Sequence, residues 1–163
     1  MRWTLIVVVF VLAFAPTVAR ATPDSEVGFR GWGPRLGLTS DPDQVHFGVH
    51  LDFGNFSEHV RFQPNFELGV GNDMTVGALN FEAAYRFDSR WEAWAPYVGG
   101  GVGLNFIDRN DRFRDDVETE TGLNALFGIE RGLSDGDRFF TELKFGLTNS
   151  PDFKLTSGWT FYH

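Results

Sequence analysis

The sequence predicts an all-β fold, an eight-stranded antiparallel up-and-down transmembrane β-barrel. Apolar and polar residues alternate with period two almost everywhere past residue 30, the pattern of strands with two unlike faces. Clusters of Asp, Asn, Ser, Gly and Pro separate the alternating runs, as hairpin turns require. One face is crowded with aromatic rings and the other is rich in glycine. That contrast decides which face turns inward.

The chain begins with a different layout. Arg2 supplies a basic start, Leu5 to Ala15 is continuously apolar, and Ala19-Arg20-Ala21 matches a small-x-small cleavage site. Residues 1–21 therefore read as a secretory signal peptide, because the apolar run is shorter than the ~20 residues of a spanning helix. Residues 22–30 read as a lead-in and 31–163 as one barrel domain. The chain has no cysteine, so neither a lipoprotein anchor nor a disulfide framework is expected. Its net charge is −8, and export removes Arg2 and Arg20 as well. Phosphates would repel such a chain, so no nucleic-acid partner is expected.

The first strand, around Trp32 to Thr39, is the least regular, with Leu36 and Leu38 opposing Arg35, Gly37 and Thr39. In Val45 to Phe53 the odd positions are apolar and His46, Gly48, His50 and Asp52 form the other face. The third, Val60 to Val70, sets Val60, Phe62, Pro64, Phe66, Leu68 and Val70 against Arg61, Gln63, Asn65, Glu67 and Gly69. Next, Leu79, Phe81, Ala83, Tyr85 and Phe87 oppose Asn80, Glu82, Ala84 and Arg86. In the fifth, Val98, Val102, Leu104 and Phe106 alternate with Tyr97, Gly99, Gly101, Gly103 and Asn105. Then Leu123, Ala125, Phe127 and Ile129 oppose Gly122, Asn124, Gly128 and Glu130. Phe139, Thr141, Leu143, Phe145 and Leu147 oppose Glu142, Lys144 and Gly146. The last strand sets Phe153, Leu155, Trp159 and Phe161 against Lys154, Thr156, Gly158, Thr160 and Tyr162. Most links are short turns, such as Asn55 to Glu58, so neighbours pair antiparallel; Ile107 to Asp116 is the long exception.

The glycine-rich stretch PYVGGGVGLNF, Pro96 to Phe106, invites a phosphate-loop reading, but the spacing fails. The sixth position from Gly99 is Leu104 and from Gly101 is Phe106, and no Gly-Lys-Ser/Thr follows. The run reads instead as a strand with a thinned inner side, leaving space for long neighbours such as Arg86 or Glu120. Gly100, on the outer side, marks a bend.

Two closures are open to such strands: a soluble lipocalin-like barrel with its apolar face inward, or a membrane barrel with that face outward. Phe47, Phe53, Phe62, Phe66, Phe81, Tyr85, Phe87, Phe106, Phe127, Phe139, Phe145, Phe153, Trp159 and Phe161 share the apolar face. The interior of eight strands is only just wide enough to be filled by side chains, so these rings belong outside. Strands of ~9–11 residues suit a tilted membrane crossing. Closure also satisfies every backbone group in lipid. The polar face then forms a lumen network of Arg35, His46, His50, Asp52, Arg61, Glu67, Glu82, Arg86, Glu130, Glu142 and Lys154, whose mixed charges can pair across the barrel.

The signal segment, PYVGGGVGLNF, the closing pair FFTELKFGLTNSPDFKLTSGWTFYH and the chain end together resemble the small outer-membrane β-barrel proteins, the OmpA/OmpX-like eight-stranded group. The likeness covers nearly all of the mature chain as a pattern. It implies a location in the outer membrane of a Gram-negative cell, with outer-membrane lipid and lipopolysaccharide, periplasmic chaperones and the barrel-insertion machinery as partners. Thr156, Gly158 and Phe161 match the family's C-terminal insertion signal, while His163 stands where phenylalanine is usual.

Chemistry is harder to find. His46 and His50 share a face, but four strand residues span ~13 Å, too far for two ligands of one ion. Lipid A hydrolases among small barrels use Ser, His and an acid, with the serine near the histidine on a strand. No serine lies near His46 or His50 on their own strand, and His59 and His163 sit at a turn and at the terminus. The polar loop Asp108 to Glu120, DRNDRFRDDVETE, could bind divalent cations or phosphate but lacks the spacing of a calcium-binding EF-hand. No catalytic centre, cofactor or metal is expected. The expected role is structural, envelope-supporting or surface-interacting, with a periplasmic lipocalin-like binder or a lipid A-modifying enzyme as alternatives.

Overall fold

A computed structural model describes residues 26–41, 43–71, 74–89, 91–109, 118–149 and 151–162. The expected signal peptide 1–21, residues 22–25 of the lead-in, and His163 lie outside the described residues. Nine strand segments follow one another: β1 (Glu26–Ser40), β2 (Gln44–Ser57), β3 (Val60–Phe62), β4 (Asn65–Gly71), β5 (Met74–Arg86), β6 (Ala95–Arg109), β7 (Glu118–Gly132), β8 (Arg138–Thr148) and β9 (Phe153–Tyr162). Each pairs antiparallel with its neighbours. β1 pairs with both β2 and β9, so the sheet closes on itself.

Nine segments make eight staves, because β3 and β4 are two halves of one. Both pair with β2 on one side and β5 on the other. The expected continuous strand from Val60 to Val70 is interrupted at Gln63 and Pro64. Proline has no N–H to give to the ladder. The barrel wall stays intact there: Leu51 N donates to Pro64 O at 2.9 Å, and Gln63 N to Glu82 O at 2.9 Å.

Three boundaries move. β1 starts at Glu26, so residues 26–30, expected to lead in, already belong to the wall, with an irregular register between Val27 and Gly31. β2 runs through Asn55 to Ser57, and the turn tightens to Glu58 and His59. The irregularity there follows Gly54, whose φ of 73° needs no side-chain accommodation. β6 and β7 also extend into the expected long loop, taking Asp108, Arg109 and Glu118 to Glu120. Residues 110–117 lie outside the described residues.

The facing is unambiguous. Interior positions are mostly polar, including Arg35, His46, His50, Glu67 and Thr156, while the buried apolar residues are few: Val76, Ala78, Ala84, Tyr97, Leu126 and Phe140. Outside, Leu36, Phe47, Phe66, Val102, Phe127, Leu147 and Trp159 each expose more than a third of their surface. None of the fourteen aromatic residues expected outside is buried. The barrel is inverted relative to a water-soluble one, apolar outside and ionic within.

Candidate functional site: the ionic lumen

β1, β4, β5, β8 and β9 deliver the central cluster. Arg35 lies 3.1 Å by Nε from Glu67, 3.9 Å from Glu82, and in direct contact with Glu142. Lys144 Nζ stands 2.6 Å from Glu82, 3.2 Å from Glu67 and 3.6 Å from Glu142. Lys154 Nζ is 2.9 Å from Glu67. Three cations thus meet three carboxylates, and all six side chains are buried or nearly so. Neutral donors complete the set: Tyr97 Oη donates to Glu142 at 2.9 Å and Asn65 Nδ2 to Glu82 at 2.8 Å. Asn80 Nδ2 in turn donates to Asn65 Oδ1 at 2.9 Å. Buried ions survive only when paired and hydrogen-bonded in this way.

A second cluster lies toward the end that carries both ends of the described chain. Arg61 donates to Glu130 at 2.5 Å, and Arg138 approaches Asp52 at 3.1 Å and Glu130 at 3.6 Å. Tyr162 Oη donates to Asp52 at 3.0 Å. Between the clusters sits a small apolar group of Ala84, Tyr97, Leu126 and Phe140. Arg35 lies 5.7 Å from the Phe140 ring and Arg61 5.3 Å from that of Tyr97, distances suited to cation–π attraction.

The two histidines take structural places. His46 bonds Thr39 through Nδ1 at 2.8 Å and Thr156 through Nε2 at 2.9 Å. His50 bonds Thr160 at 2.8 Å and meets the Phe140 ring edge-on at 5.1 Å. Neither touches a serine, and among the described residues no His, Cys, Asp and Glu group is arranged to hold a metal. Among the expected lumen residues, Arg86 is the one left at the rim, half exposed and 3.7 Å from Glu130.

Pattern reading missed Lys144, Arg138, Tyr97 and Phe140 as members of this network. Each has inward parity on its strand, so alternation contained the signal. Glycines explain how the large ones fit. Tyr97 pairs across strands with Gly128, and Phe140 with Gly158. A Cβ at Gly128 would strike the Tyr97 ring, and one at Gly158 the Phe140 ring. The room beside Gly101 and Gly103 is taken by Glu82 and Asn80, rather than by the expected Arg86 or Glu120. A Cβ at Gly100, outside, would press on the backbone oxygen of Asn124.

Such a lumen is plugged. A cavity of about 280 Å³ opens at the terminus end and one of about 10 Å³ lies beside Lys144 and Lys154. The ion cluster occupies the space between them.

Fold and site together define a closed eight-stranded antiparallel barrel of the transmembrane kind, apolar outside and ionically plugged within. Solved structures share that architecture. The crystal structure of Neisserial surface protein A (NspA) aligns at TM-score 0.65 and 14% identity, covering 83% of this chain and 96% of that one. The N-terminal β-barrel domain of Pseudomonas aeruginosa OprF aligns at 0.62 and 13%, covering 84% and 100%. A de novo designed protein, TMB2.3, known from solution NMR, aligns at 0.50 and 13%, covering 86% and 98%. At such identities the likeness is one of fold. No protein-family model matches the chain, and no curated protein does.

Proposed function

We propose that this chain is an exported outer-membrane barrel that serves a structural, envelope-supporting or surface-interacting role without catalysis. The observation that carries the reading is the inverted burial: a ring of exposed aromatic and aliphatic side chains around a paired ionic interior. In water such a surface would aggregate, whereas in a bilayer it is solvated and the closed ladder leaves no open edge. A lipocalin-like binder needs an apolar cavity, and here the interior holds carboxylates, arginines and lysines instead. Against an enzyme stands the engagement of both inner histidines by threonines and a phenylalanine.

On this reading residues 1–21 direct export and are removed. The chaperones and the insertion machinery then read the closing strand through Thr156, Gly158, Phe161 and His163, and lipopolysaccharide surrounds the outer leaflet side. Thr156 and Gly158 also have interior duties, toward His46 and Phe140. Membrane fractionation tests the location. Recovery in the outer-membrane fraction with heat-modifiable migration is expected; recovery in the soluble periplasm without detergent would sink the proposal. The non-catalytic part fails if lipid A from cells with and without the protein differs in mass spectrum.

A further inference from the structure

We infer that the turn between β5 and β6 is a membrane-docking element, which seats Trp91 in the lipid headgroup layer on the side of the chain ends. The inference rests on the membrane location proposed above. Beyond the barrel ladder the chain reverses tightly: Trp91 N donates to Trp94 O at 2.9 Å and Trp94 N to Trp91 O at 3.0 Å. Only Glu92 and Ala93 separate the two, and Glu92 takes a φ of 55°, the left-handed region that a two-residue reversal needs. Residues opposed in this way project to the same side. Trp94 fixes which side that is. Its ring meets Phe139 edge-on at 6.1 Å, and Phe139 in turn lies 4.8 Å from Trp159. Phe139 and Trp159 pair across β8 and β9 on the outer wall. Trp91 therefore continues an aromatic stripe down the outside of the barrel and past its end, instead of folding over the mouth.

Trp91 is 76% exposed, more than any other large apolar residue described. A single exposed ring is ordinary on a protein surface; its place at the end of a lipid-facing stripe makes it a contact. Indole rings favour the membrane–water boundary, where the ring is apolar and the N–H is wet. All four described tryptophans, Trp32, Trp91, Trp94 and Trp159, lie toward this end, whereas Leu38, Val45, Val70 and Leu147 face outward at the other. Charges of both signs flank the turn, with Asp88, Arg90 and Glu92 along it and Arg131 on β7. The partner is therefore a neutral headgroup layer, such as phosphatidylcholine, and anionic lipid is not required.

The test refolds the chain from residue 22 into phosphatidylcholine vesicles with Trp32→Phe, Trp94→Phe and Trp159→Phe, which leave Trp91 as its sole tryptophan. Lipid bearing a nitroxide at the headgroup should quench Trp91 emission more than lipid bearing it at the acyl-chain end. Aqueous acrylamide should quench it less than in the urea-unfolded chain. A companion variant keeps Trp159 alone and reports on the barrel wall. Lipid quenching of Trp159 with Trp91 open to acrylamide overturns the docking and leaves the membrane location intact. Absence of lipid quenching at both positions sinks both readings. Protection of Trp91 from lipid and aqueous quenchers alike would mean a protein contact, and overturns the docking as well. Should the triple exchange fail to fold, a fluorophore on Ala93→Cys, unique in a chain without cysteine, gives the same readout with every ring in place.

Discussion

Replacing Arg35 by methionine should be among the most damaging single changes in the barrel. Arg35 reaches Glu67, Glu82 and Glu142, and its side chain is fully buried. Without it, Lys144 and Lys154 are left to offset three carboxylates. Opposite charges ~4 Å apart attract by about 4 kcal/mol at an effective dielectric of about 20, before desolvation is subtracted. Stranding one buried carboxylate charge costs about 3–5 kcal/mol net. The assay is urea unfolding in phospholipid vesicles, read by tryptophan fluorescence, since Trp32 and Trp159 lie on the exposed outer face. Adding Glu142→Gln restores the charge balance while keeping a side-chain oxygen to accept from Tyr97. The double variant should therefore be more stable than the sum of the single losses predicts, by about 1–3 kcal/mol. Additivity within ~0.5 kcal/mol, the behaviour of independent sites, would refute the claim that these residues form one cluster.

Other perturbations test neighbouring parts of the same account. Phe66→Arg places a charge on the outer face and should cost ~2–4 kcal/mol near mid-strand, whereas Phe66→Leu should cost under ~1.5 kcal/mol. Equal tolerance of both, in the same unfolding assay, would contradict the assigned facing. Gly128→Ala drives a methyl into the Tyr97 ring, and overpacking of this kind costs ~1–3 kcal/mol. Tyr97→Ala in that background should recover part of the loss, and no recovery would separate the two residues. Asn65→Ser removes an amide that donates to Glu82 and accepts from Asn80, so a loss of ~1–3 kcal/mol is expected. A plugged lumen also predicts that liposomes carrying the protein do not swell in isosmotic small sugars, which light scattering would detect.

The wall of this barrel was legible because alternation is a one-residue signal: a single slip would turn every side chain to the wrong face. Phe47 and His46 reveal their sides by their own chemistry. The break at Pro64 was equally visible, since a missing N–H is written in the residue type, yet the alternation running through it masked the interruption. The lumen was harder. Lys144 could be placed inside by parity with Glu142, but its contact with Glu67 joins residues on opposite arcs of the wall. Such partners depend on how far the staves are staggered when the sheet closes, and nothing local in the sequence encodes that. Arg86 shows the converse error: its parity is inward, but its position near the end of β5 leaves it at the rim.

The glycines show how closure and ion pairing depend on each other. An eight-stranded lumen has little spare width, so a phenol, a benzyl ring and an imidazole can point inward only where the facing strand has no side chain. Gly128 faces Tyr97, Gly158 faces Phe140, and Gly37 faces His46. At each pair a Cβ on the glycine would overlap the ring opposite. Each ring in turn holds a polar partner: Tyr97 donates to Glu142, His46 bonds two threonines, and Phe140 lies beside Arg35. Removing a glycine should thus act at a distance, by displacing a ring and loosening the ion it positions. Glycine costs a strand some stability through its backbone freedom. Here that cost is offset because each missing side chain lets one large group complete the ionic core.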